Sequence, residues 1–439
     1  MPRTKIPRVA VTRLLAVAGV AAAAVLAAVP GSARAAHDPR PTAAGSGHVV
    51  PGLTGQAALT AGATVGEHFR KIREGRVPAA TLHADWGMFP TSPPVGAMAT
   101  QSINPNVKLS ATGDETLYTP TMLPGRDSCI ELSTIYTATA VEIGAWDWCA
   151  DAPNFLKLAV ADATFMSTYT TTVNALKAYT ARVVRTDAAT NTWTASLYNQ
   201  RTQAWDTFYT SSGTTKLTTS WQGWDAWEIY SNTNSSTGTG YYCTEARGTT
   251  FESSSLMFTF NGIDWKAARP VNSEQVGPDG SYNCPSLVFL VPTANSDFTT
   301  TVPKAEPAWP TVRSGDTGNR VKTVQYLLNA QQNAGLTVDG DFGAKTLAAV
   351  KAFQSSRGMN ADGIVGVNTW SQLTYPVVYG DTGDAVKAVQ NELTAHGVTT
   401  AVTGTYDSTT HVNARQFQVN SGIAPRGDTD LATWRFLVQ

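Results

Sequence analysis

The C-terminal part of the chain is an internal duplication, and this feature restricts its fold more than any other. Two consecutive segments carry the same order of residue types, so that Gln325 corresponds to Gln390 and Phe353 to Phe417. Equivalent residues lie 64 or 65 positions apart (417 − 353 = 64; 390 − 325 = 65). Units of this length bury only a small core, so each unit is expected to be a small domain.

Each unit reads as helices joined by glycine-containing turns. In the first unit Val321, Val324 and Leu328 recur at spacings of three and four, which places them on one helix face. Glycine permits a positive φ and aspartate can bond its own downstream backbone, so Asp-Gly turns are more often structural than ligand-binding. The later landmarks of the first unit are, in order, Asp339-Gly340-Asp341-Phe342-Gly343, Phe353-Gln354, Asp362-Gly363 and Asn368-Thr369-Trp370.

This order of helices, turns and aromatic residues resembles the peptidoglycan-binding family 1 domain, a three-helix module found on bacterial wall hydrolases. The resemblance covers residues 312–374 and 377–438. It implies two small all-α repeats, with peptidoglycan as their partner and a shallow groove near the turns. The residues that would border this groove in the first repeat are Asp339, Asp341, Phe342 and Asp362.

The second repeat is a degenerate copy of the first. Thr403 and Arg426 stand where the first repeat has Asp339 and Asp362. We therefore expect the second repeat to bind less well. Weak modules in tandem gain from effective concentration, which is a reason for two copies.

Residues 100–300 are expected to form an all-β sandwich, with a jelly roll as one form of it. Within 180–212, short runs of β-branched and aromatic residues alternate with polar turns, which is typical of antiparallel hairpins. Residues 36–99 are rich in Pro, Ala, Gly and Thr and are expected to be poorly ordered, apart from one short helix over 66–75. Residues 301–311 hold three prolines and are expected to form a linker.

The N-terminus has the layout of a secretory signal peptide. Basic residues precede an apolar run from Leu14 to Val29, and Ala33-Arg34-Ala35 offers a cleavage site. A transmembrane anchor is the alternative, but the run is shorter than the ~20 residues that span a bilayer. We therefore expect residues 1–35 to be removed, leaving a secreted, cell-wall-associated protein without membrane contact.

The chain has four cysteines, and an even number outside the cytoplasm favours disulfides. Four cysteines allow three connectivities. We favour Cys129–Cys149 and Cys243–Cys284, because each closes a local loop. A zinc site with cysteine ligands would need closely spaced pairs, and the sequence has none.

Charge and composition exclude nucleic acid as a partner. The formal net charge is −1, and charged residues make up 15% of the chain. Nucleic-acid binding needs clustered Lys and Arg, and no such cluster occurs in the sequence. We also expect no cofactor and no metal.

The β-rich region lacks the residue that most hydrolases use. No histidine occurs between residues 84 and 395, whereas zinc, serine and cysteine hydrolases need one. Histidine-dependent chemistry is therefore not expected in this domain. Carboxylate chemistry, as in glycoside hydrolysis, remains, and its candidates are Glu131, Glu142, Asp147, Asp225, Glu228 and Glu245.

Residues 221–230 (WQGWDAWEIY) are the most aromatic part of this region. In a strand, Trp224, Glu228 and Tyr230 share one face, which could stack a sugar ring and bond its hydroxyls. Glu228 is also the candidate catalytic acid. The structural alternative is a packed sandwich interior with an exposed glutamate. The stretch resembles the Glu-bearing strand of jelly-roll glutamic peptidases, but no Gln partner motif is found, so no role is carried over.

Two functions remain open at this point. The first is a non-enzymatic wall protein that binds peptidoglycan through its repeats, while the β-sandwich recognises another polysaccharide or a protein. The alternative is a carboxylate-dependent cell-wall or polysaccharide hydrolase that the same repeats target to the wall.

Overall fold

The computed structural model describes residues 40–73, 81–110, 116–217, 220–234, 236–278 and 284–439. All of these lie in one compact unit, Pro39–Gln439. The predicted signal peptide, residues 1–35, lies outside the described residues. Within the described ranges, no helix has both the length and the apolar character needed to cross a lipid bilayer.

The N-terminal two thirds of this unit are mostly strands. In chain order the strands are β1 (Gly45–Val49), β2 (Leu53–Thr54), β3 (Thr81–Pro90), β4 (Gly96–Ser102), β5 (Thr116–Leu123), β6 (Ile130–Tyr136), β7 (Val141–Asp147), β8 (Asn154–Val160), β9 (Thr170–Val173), β10 (Leu176–Asp187), β11 (Thr192–Asn199), β12 (Ala204–Ser211), β13 (Trp224–Asn234), β14 (Thr239–Gly240), β15 (Thr249–Thr259), β16 (Trp265–Ala267), β17 (Ser273–Val276), β18 (Val288–Thr293) and β19 (Asp297–Val302).

These strands form two sheets. One sheet runs β1-β12-β11-β10-β4-β15-β19-β18, with β9 on β10 and β16 on β15. The other runs β17-β3-β13-β5-β6-β7-β8-β2, with β14 on β13. Short helices accompany the sheets, namely α1 (Gly55–Ala61), α2 (Ala63–Arg73), α3 (Ala163–Tyr169) and α4 (Tyr242–Glu245).

The two sheets pack face to face around a shared hydrophobic core. Polar bonds also join them across the core. Trp86 Nε1 of β3 donates to Thr300 Oγ1 of β19 at 3.0 Å. The hydroxyls of Thr134 on β6 and Tyr179 on β10 lie 2.7 Å apart. The predicted all-β sandwich is confirmed.

The prediction that residues 36–99 are poorly ordered was wrong for the residues that the structure describes. Strands β1 to β3, the start of β4, and helices α1 and α2 fall in this segment, and α2 covers most of the predicted 66–75 helix. β3 pairs with β13, so that His83 lies opposite Tyr230. Because the partner strand is so distant in sequence, local periodicity could not reveal this pairing.

Both favoured disulfides are confirmed. Cys129 and Cys149 are bonded with their Cα atoms 5.0 Å apart. Cys243 and Cys284 are bonded with their Cα atoms 5.4 Å apart. Both bridges lie in the sandwich and close loops of the kind predicted.

Each C-terminal repeat has three helices, as predicted. Repeat 1 contains α5 (Asn319–Gln332), α6 (Ala344–Ser356) and α7 (Val367–Leu373), and repeat 2 contains α8 (Asp384–Ala395), α9 (Ser408–Ser421) and α10 (Leu431–Leu437). One hydrophobic core runs through both repeats, and α5 packs on α8. The duplication has therefore produced one packed body of two repeats.

The predicted linker, residues 301–311, is held at both ends. Thr301 and Val302 continue β19 and are buried. At the other end, the ring of Trp309 stacks on that of Trp370 with centroids 5.8 Å apart. Trp370 Nε1 also donates to the Pro310 carbonyl oxygen at 2.8 Å. The linker therefore packs on repeat 1.

Candidate functional site

A buried glutamine holds the first Asp-Gly turn of repeat 1. Gln325 Nε2 donates to Asp339 Oδ1 at 2.7 Å and to the Asp341 carbonyl oxygen at 3.0 Å. Gln325 Oε1 accepts the Gly340 N–H at 2.9 Å. Gly340 has a φ of 77°, which glycine adopts without steric cost. One buried side chain therefore fixes the turn that carries both aspartates.

The second Asp-Gly turn of repeat 1 is built in the same way from the end of α6. Gln354 Nε2 donates to Asp362 Oδ1 and to the Ile364 carbonyl oxygen, both at 2.9 Å. Gln354 Oε1 accepts the Gly363 N–H at 2.8 Å. Repeat 1 thus contains two copies of one turn, which the spacing of its glutamines alone did not show.

Three of the four residues predicted to border the peptidoglycan groove are exposed at these turns, namely Asp339, Asp341 and Asp362. Hydrogen bonds from the Asp341 N–H and from Gln325 hold the pKa of Asp339 below its usual value. Equivalent bonds lower the pKa of Asp362. Repeat 1 therefore presents ionised carboxylates to solvent. At Asp339 and Asp362, one carboxylate oxygen already accepts a hydrogen bond from the glutamine that holds the turn.

The fourth residue, Phe342, is not part of an exposed groove. Its side chain is 0% exposed and belongs to the core of the repeats. The prediction that Phe342 contacts ligand was therefore wrong. A repeat of this size needs its large apolar rings for its own core, because it has few other residues to bury.

Repeat 2 keeps the glutamines but not the aspartates. Gln390 Nε2 donates to Thr403 Oγ1 at 3.0 Å, so threonine replaces the first carboxylate as acceptor. At the second turn Gln418 Oε1 still accepts the Gly427 N–H at 2.8 Å. Tyr406, at the position of Phe342, donates its hydroxyl to the Gly427 carbonyl oxygen at 2.8 Å. Both turns are thus maintained without a carboxylate.

Repeat 2 also docks on the sandwich. Arg415 of α9 forms an ion pair with Glu252 of β15, and their side chains are only 12% and 4% exposed. The Lys304 N–H donates to the Gly422 carbonyl oxygen at 2.8 Å. These contacts fix the orientation of repeat 2 on the β-domain.

The predicted sugar-binding face of β13 exists, but it is covered. Trp224, Glu228 and Tyr230 do share one face, and they are 5%, 1% and 0% exposed. Trp224 and Tyr230 belong to an aromatic cluster with Phe69 of α2. The prediction that this face is open to sugar was wrong for this structure, since residues assigned to a poorly ordered segment fold over the same cluster.

A histidine does lie beside Glu228, contrary to the expectation that the sandwich has none. His83 of β3 has its Nε2 3.0 Å from Glu228 Oε1. Its ring stacks on Tyr230 with centroids 4.6 Å apart, and the Tyr230 hydroxyl donates to the same Glu228 oxygen at 2.5 Å. The expectation failed because His83 was placed outside the β-domain.

Other candidate carboxylates are built into the sandwich. Burial raises the pKa of Asp225 to about 7. Its oxygens accept Gln101 Nε2 at 3.0 Å and Ser253 Oγ at 2.5 Å. Glu131 accepts the indole N–H of Trp148 at 3.0 Å and that of Trp224 at 3.3 Å. Both carboxyl groups are fully buried. Their hydrogen bonds hold strands of the sandwich together, so neither is exposed to a substrate.

The geometry defines a two-part protein, a disulfide-bonded β-sandwich on which a pair of glutamine-braced helical repeats is docked. Residues 317–373 and 382–437 each match the protein family described as Putative peptidoglycan binding domain. The chain therefore carries two tandem copies of this domain.

Relatives match mainly through parts of the chain. A Kitasatospora aureofaciens protein described as uncharacterized is 41% identical over 100 residues, which are 21% of this chain and 85% of that protein. The zinc D-Ala-D-Ala carboxypeptidase of Streptomyces albus G is 38% identical over 65 residues, 14% of this chain and 26% of that enzyme. The chain thus spans about a quarter of the carboxypeptidase. A scytalido-glutamic peptidase structure is similar over 50% of this chain and 98% of its own, at 10% identity and a TM-score of 0.29.

Proposed function

We propose that the protein is exported and binds the bacterial cell wall through its two C-terminal repeats, holding the β-sandwich at the wall. The observation that carries this proposal is the match of both repeats to the peptidoglycan-binding family, together with four glutamine-braced turns. Two disulfides in the sandwich fit an oxidising compartment outside the cytoplasm. The predicted signal peptide would supply the route of export.

Within the repeats, we assign wall contact to the exposed carboxylates of repeat 1, Asp339, Asp341 and Asp362. Each is held at the surface by a turn that a buried glutamine fixes, so little side-chain and backbone entropy is lost on binding. Carboxylates accept hydrogen bonds from peptide N–H and sugar hydroxyl groups, both of which peptidoglycan offers. Repeat 2, which has Thr403 and Arg426 at the equivalent places, contributes mainly by docking.

The β-sandwich is proposed to recognise a polysaccharide or a protein at the wall. Its buried contact with repeat 2, through Glu252 and Arg415, gives it a fixed orientation relative to the anchor. A fixed contact between the two domains suits a β-sandwich that must present one surface away from the wall. The surface that it presents cannot be the β13 face as folded, since α2 packs over the aromatic cluster of that face.

The test is co-sedimentation of the full-length protein with purified sacculi. We expect the protein to pellet and the supernatant to contain no released wall fragments by mass spectrometry. A variant lacking residues 312–439, checked for a folded sandwich by circular dichroism, should stay in solution. Pelleting of that variant to the same extent would show that the sandwich, and not the repeats, binds the wall.

A second candidate function is supported by the contact between His83 and Glu228. A carboxyl group paired with an imidazole and a phenol is an arrangement that can hold and move a proton. The alternative is therefore a wall or polysaccharide hydrolase in which the buried Glu228 is the acid and His83, about one-third exposed, passes its proton to substrate. It predicts muropeptide or glycan release from sacculi that disappears in Glu228→Gln. Absence of release by the unmodified protein would reject it.

A further inference from the structure

A polar groove of about 480 Å³ lies between the two repeats. One wall is the start of α5 with the turn before it, and the other is the end of α8. Since α5 and α8 belong to different repeats, neither repeat alone contains this groove. Besides two threonines, the polar side chains that line it are Asp316, Asn319, Arg320, Glu392, His396 and Gln439.

Glu392 forms the floor of this inter-repeat groove and is only 2% exposed. Its Oε2 accepts Asn319 Nδ2 at 3.0 Å, and its Oε1 accepts the hydroxyl of Thr323. Burial raises the pKa of Glu392, while these two bonds and the charges of His396 and Arg320 oppose the rise. The carboxyl group is therefore held in place from α5, and the guanidinium of Arg320 and the ring of His396 line the same groove.

The fold of the repeats does not require a carboxylate at this position. Glu392 corresponds to Leu327 of repeat 1 (392 − 65 = 327), and Thr323 corresponds to Ala388 of repeat 2 (323 + 65 = 388). Leu327 and Ala388 are fully buried in the common apolar core. At one of these helix positions repeat 2 has the polar residue and at the other repeat 1 has it, and the two polar residues bond to each other between α5 and α8. The equivalent pair, Leu327 and Ala388, is apolar.

This asymmetry points to a ligand. Burying a carboxyl group is costly, and an apolar replacement of similar volume is usually tolerated or stabilising. Leu327 at the equivalent position of repeat 1 shows that this fold accommodates an apolar side chain there. Glu392 lines the groove whereas its counterpart Leu327 does not, and a polar group that departs from the local apolar pattern in this way is expected at functional sites.

We propose that the inter-repeat groove binds the free end of an uncross-linked peptidoglycan stem peptide. A stem peptide that ends in a diamino acid carries an ammonium beside a carboxylate. Glu392 pairs with the ammonium, and the guanidinium of Arg320 pairs with the carboxylate. The groove volume lies in the range of about 300–1,000 Å³ that small ligands occupy.

Cross-linking removes this recognition, because it converts the amine into an amide without a positive charge. The groove therefore distinguishes uncross-linked wall from cross-linked wall. This inference rests on the proposed function of the repeats and names the part of the polymer that they recognise. The exposed aspartates of repeat 1 can still contact glycan or peptide elsewhere.

The experiment is titration calorimetry of the full-length protein with a stem tripeptide ending in a diamino acid, with its side-chain amine free or acetylated. We expect the free peptide to bind and the acetylated peptide to bind about 10-fold more weakly or worse, since a charged hydrogen-bond partner is lost. Glu392→Leu and Arg320→Ala should each weaken binding of the free peptide to a similar extent. Glu392→Leu should also remove the difference between the two peptides.

Arg357→Ala is the matched control, because Arg357 is an exposed arginine of repeat 1 that does not line the groove. It should bind like the unmodified protein. Circular dichroism establishes that each variant is folded, and Arg320→Ala changes an exposed side chain that the core does not need.

Equal binding of the two peptides, or no binding by a protein that pellets with sacculi, would overturn the groove assignment and leave the wall-binding function in place. Failure of the protein to pellet with sacculi, with peptide binding retained, would leave the groove assignment in place and overturn the wall-binding function. The two proposals therefore fail in distinguishable ways.

Discussion

The two C-terminal repeats share one framework but differ in what they present to their surroundings. In both, a buried glutamine accepts a glycine N–H at each turn, through Gln325, Gln354, Gln390 and Gln418. Repeat 1 adds an aspartate oxygen at both turns, whereas repeat 2 has Thr403 at one and Arg426 at the other. The glutamine–glycine bond is thus common to all four turns, and the turns of repeat 2 form without an aspartate as the acceptor of the glutamine.

Repeat 2 has a contact that repeat 1 lacks. Its helix α9 carries Arg415, which reaches Glu252 of the sandwich. The repeat that lacks the two aspartates bonded by the turn glutamines is thus the one that docks on the β-domain. We infer a division of labour in which repeat 1 offers the exposed turns and repeat 2 supplies the joint, with the groove between them using both.

The largest expected effect tests whether the repeats share one core. Trp370 and Trp434 are both 0% exposed, and their indole N–H groups donate to backbone carbonyl oxygens at 2.8 Å. Trp370→Ala and Trp434→Ala should each lower the free energy of unfolding by about 3–5 kcal/mol, measured by urea denaturation. Separate transitions, with only one affected by each variant, would show that the cores are independent.

The next effect tests the joint between repeat 2 and the sandwich. Breaking the Arg415–Glu252 pair with Arg415→Met leaves a buried carboxylate and should weaken docking by about 3 kcal/mol. Faster proteolysis between the domains and a double-mutant cycle with Glu252→Gln measure this. The control is Arg435→Met, whose pair with Glu306 is at least one-third exposed on both sides and should cost less than about 1 kcal/mol. Equal effects would remove the docking role from repeat 2.

A smaller effect compares the turns themselves. Gln354→Ala and Gln418→Ala each leave a buried glycine N–H without its acceptor, which should cost about 1–3 kcal/mol. Gln354→Ala should cost more, because Gln354 also donates to Asp362, whereas Gln418 has no side-chain carboxylate partner at this turn. Thermal unfolding measures both, with the exposed Gln372→Ala as control. A negligible cost in repeat 2 would mean that its turns no longer depend on the glutamine.

The pH dependence of stability should show a difference between α5 and α8, because α8 has the buried Glu392 where α5 has Leu327. Burial raises the pKa of Glu392, so its contribution to stability is present at low pH and is lost as pH rises through the folded-state pKa. Glu392→Leu removes this loss, so the variant should gain stability relative to the unmodified protein as pH rises, by about 1 kcal/mol or more. Denaturation at pH 4 and pH 8 measures the change. A relative gain on acidification would contradict the burial of the carboxyl group.

The smallest effect concerns wall binding by the exposed turns. Asp339→Asn keeps an oxygen for Gln325 but removes the charge, as Asp362→Asn does for Gln354. Each should weaken pelleting with sacculi about two- to fivefold, as expected for single exposed charges. Thr403→Ala, at the equivalent place in repeat 2, should leave pelleting unchanged. A larger effect of Thr403→Ala would reverse the roles assigned to the two repeats.

Much of the fold could be predicted from the sequence because it is encoded locally. Spacings of three and four placed Val321 and Leu328 in a helix core, and strand periodicity placed Trp224 and Tyr230 on one face. Both disulfides were favoured over the other connectivities because they close local loops. The structure confirms each of these, because periodicity and short-range closure depend only on neighbours in the chain.

The candidate sites were less predictable, because accessibility depends on distant segments. Phe342 was expected at a ligand groove and lies in the core, since a small repeat needs its aromatic rings for packing. His83 was placed outside the β-domain, and the structure brings it to 3.0 Å from Glu228. For both residues, the sequence motif gave the correct residue type. It did not show which distant segments would bury Phe342 or lie beside His83.

The sequence by itself determined the duplication, the class of the repeats and the β-rich character of the larger domain, and it favoured one of three possible disulfide connectivities. Only the tertiary structure decided that residues once expected to be poorly ordered help complete the sandwich and cover its aromatic face. It also decided that the two repeats enclose a polar groove. The physical reason is that repeats and periodicity are properties of one stretch of chain, whereas burial and grooves arise where surfaces far apart in sequence meet.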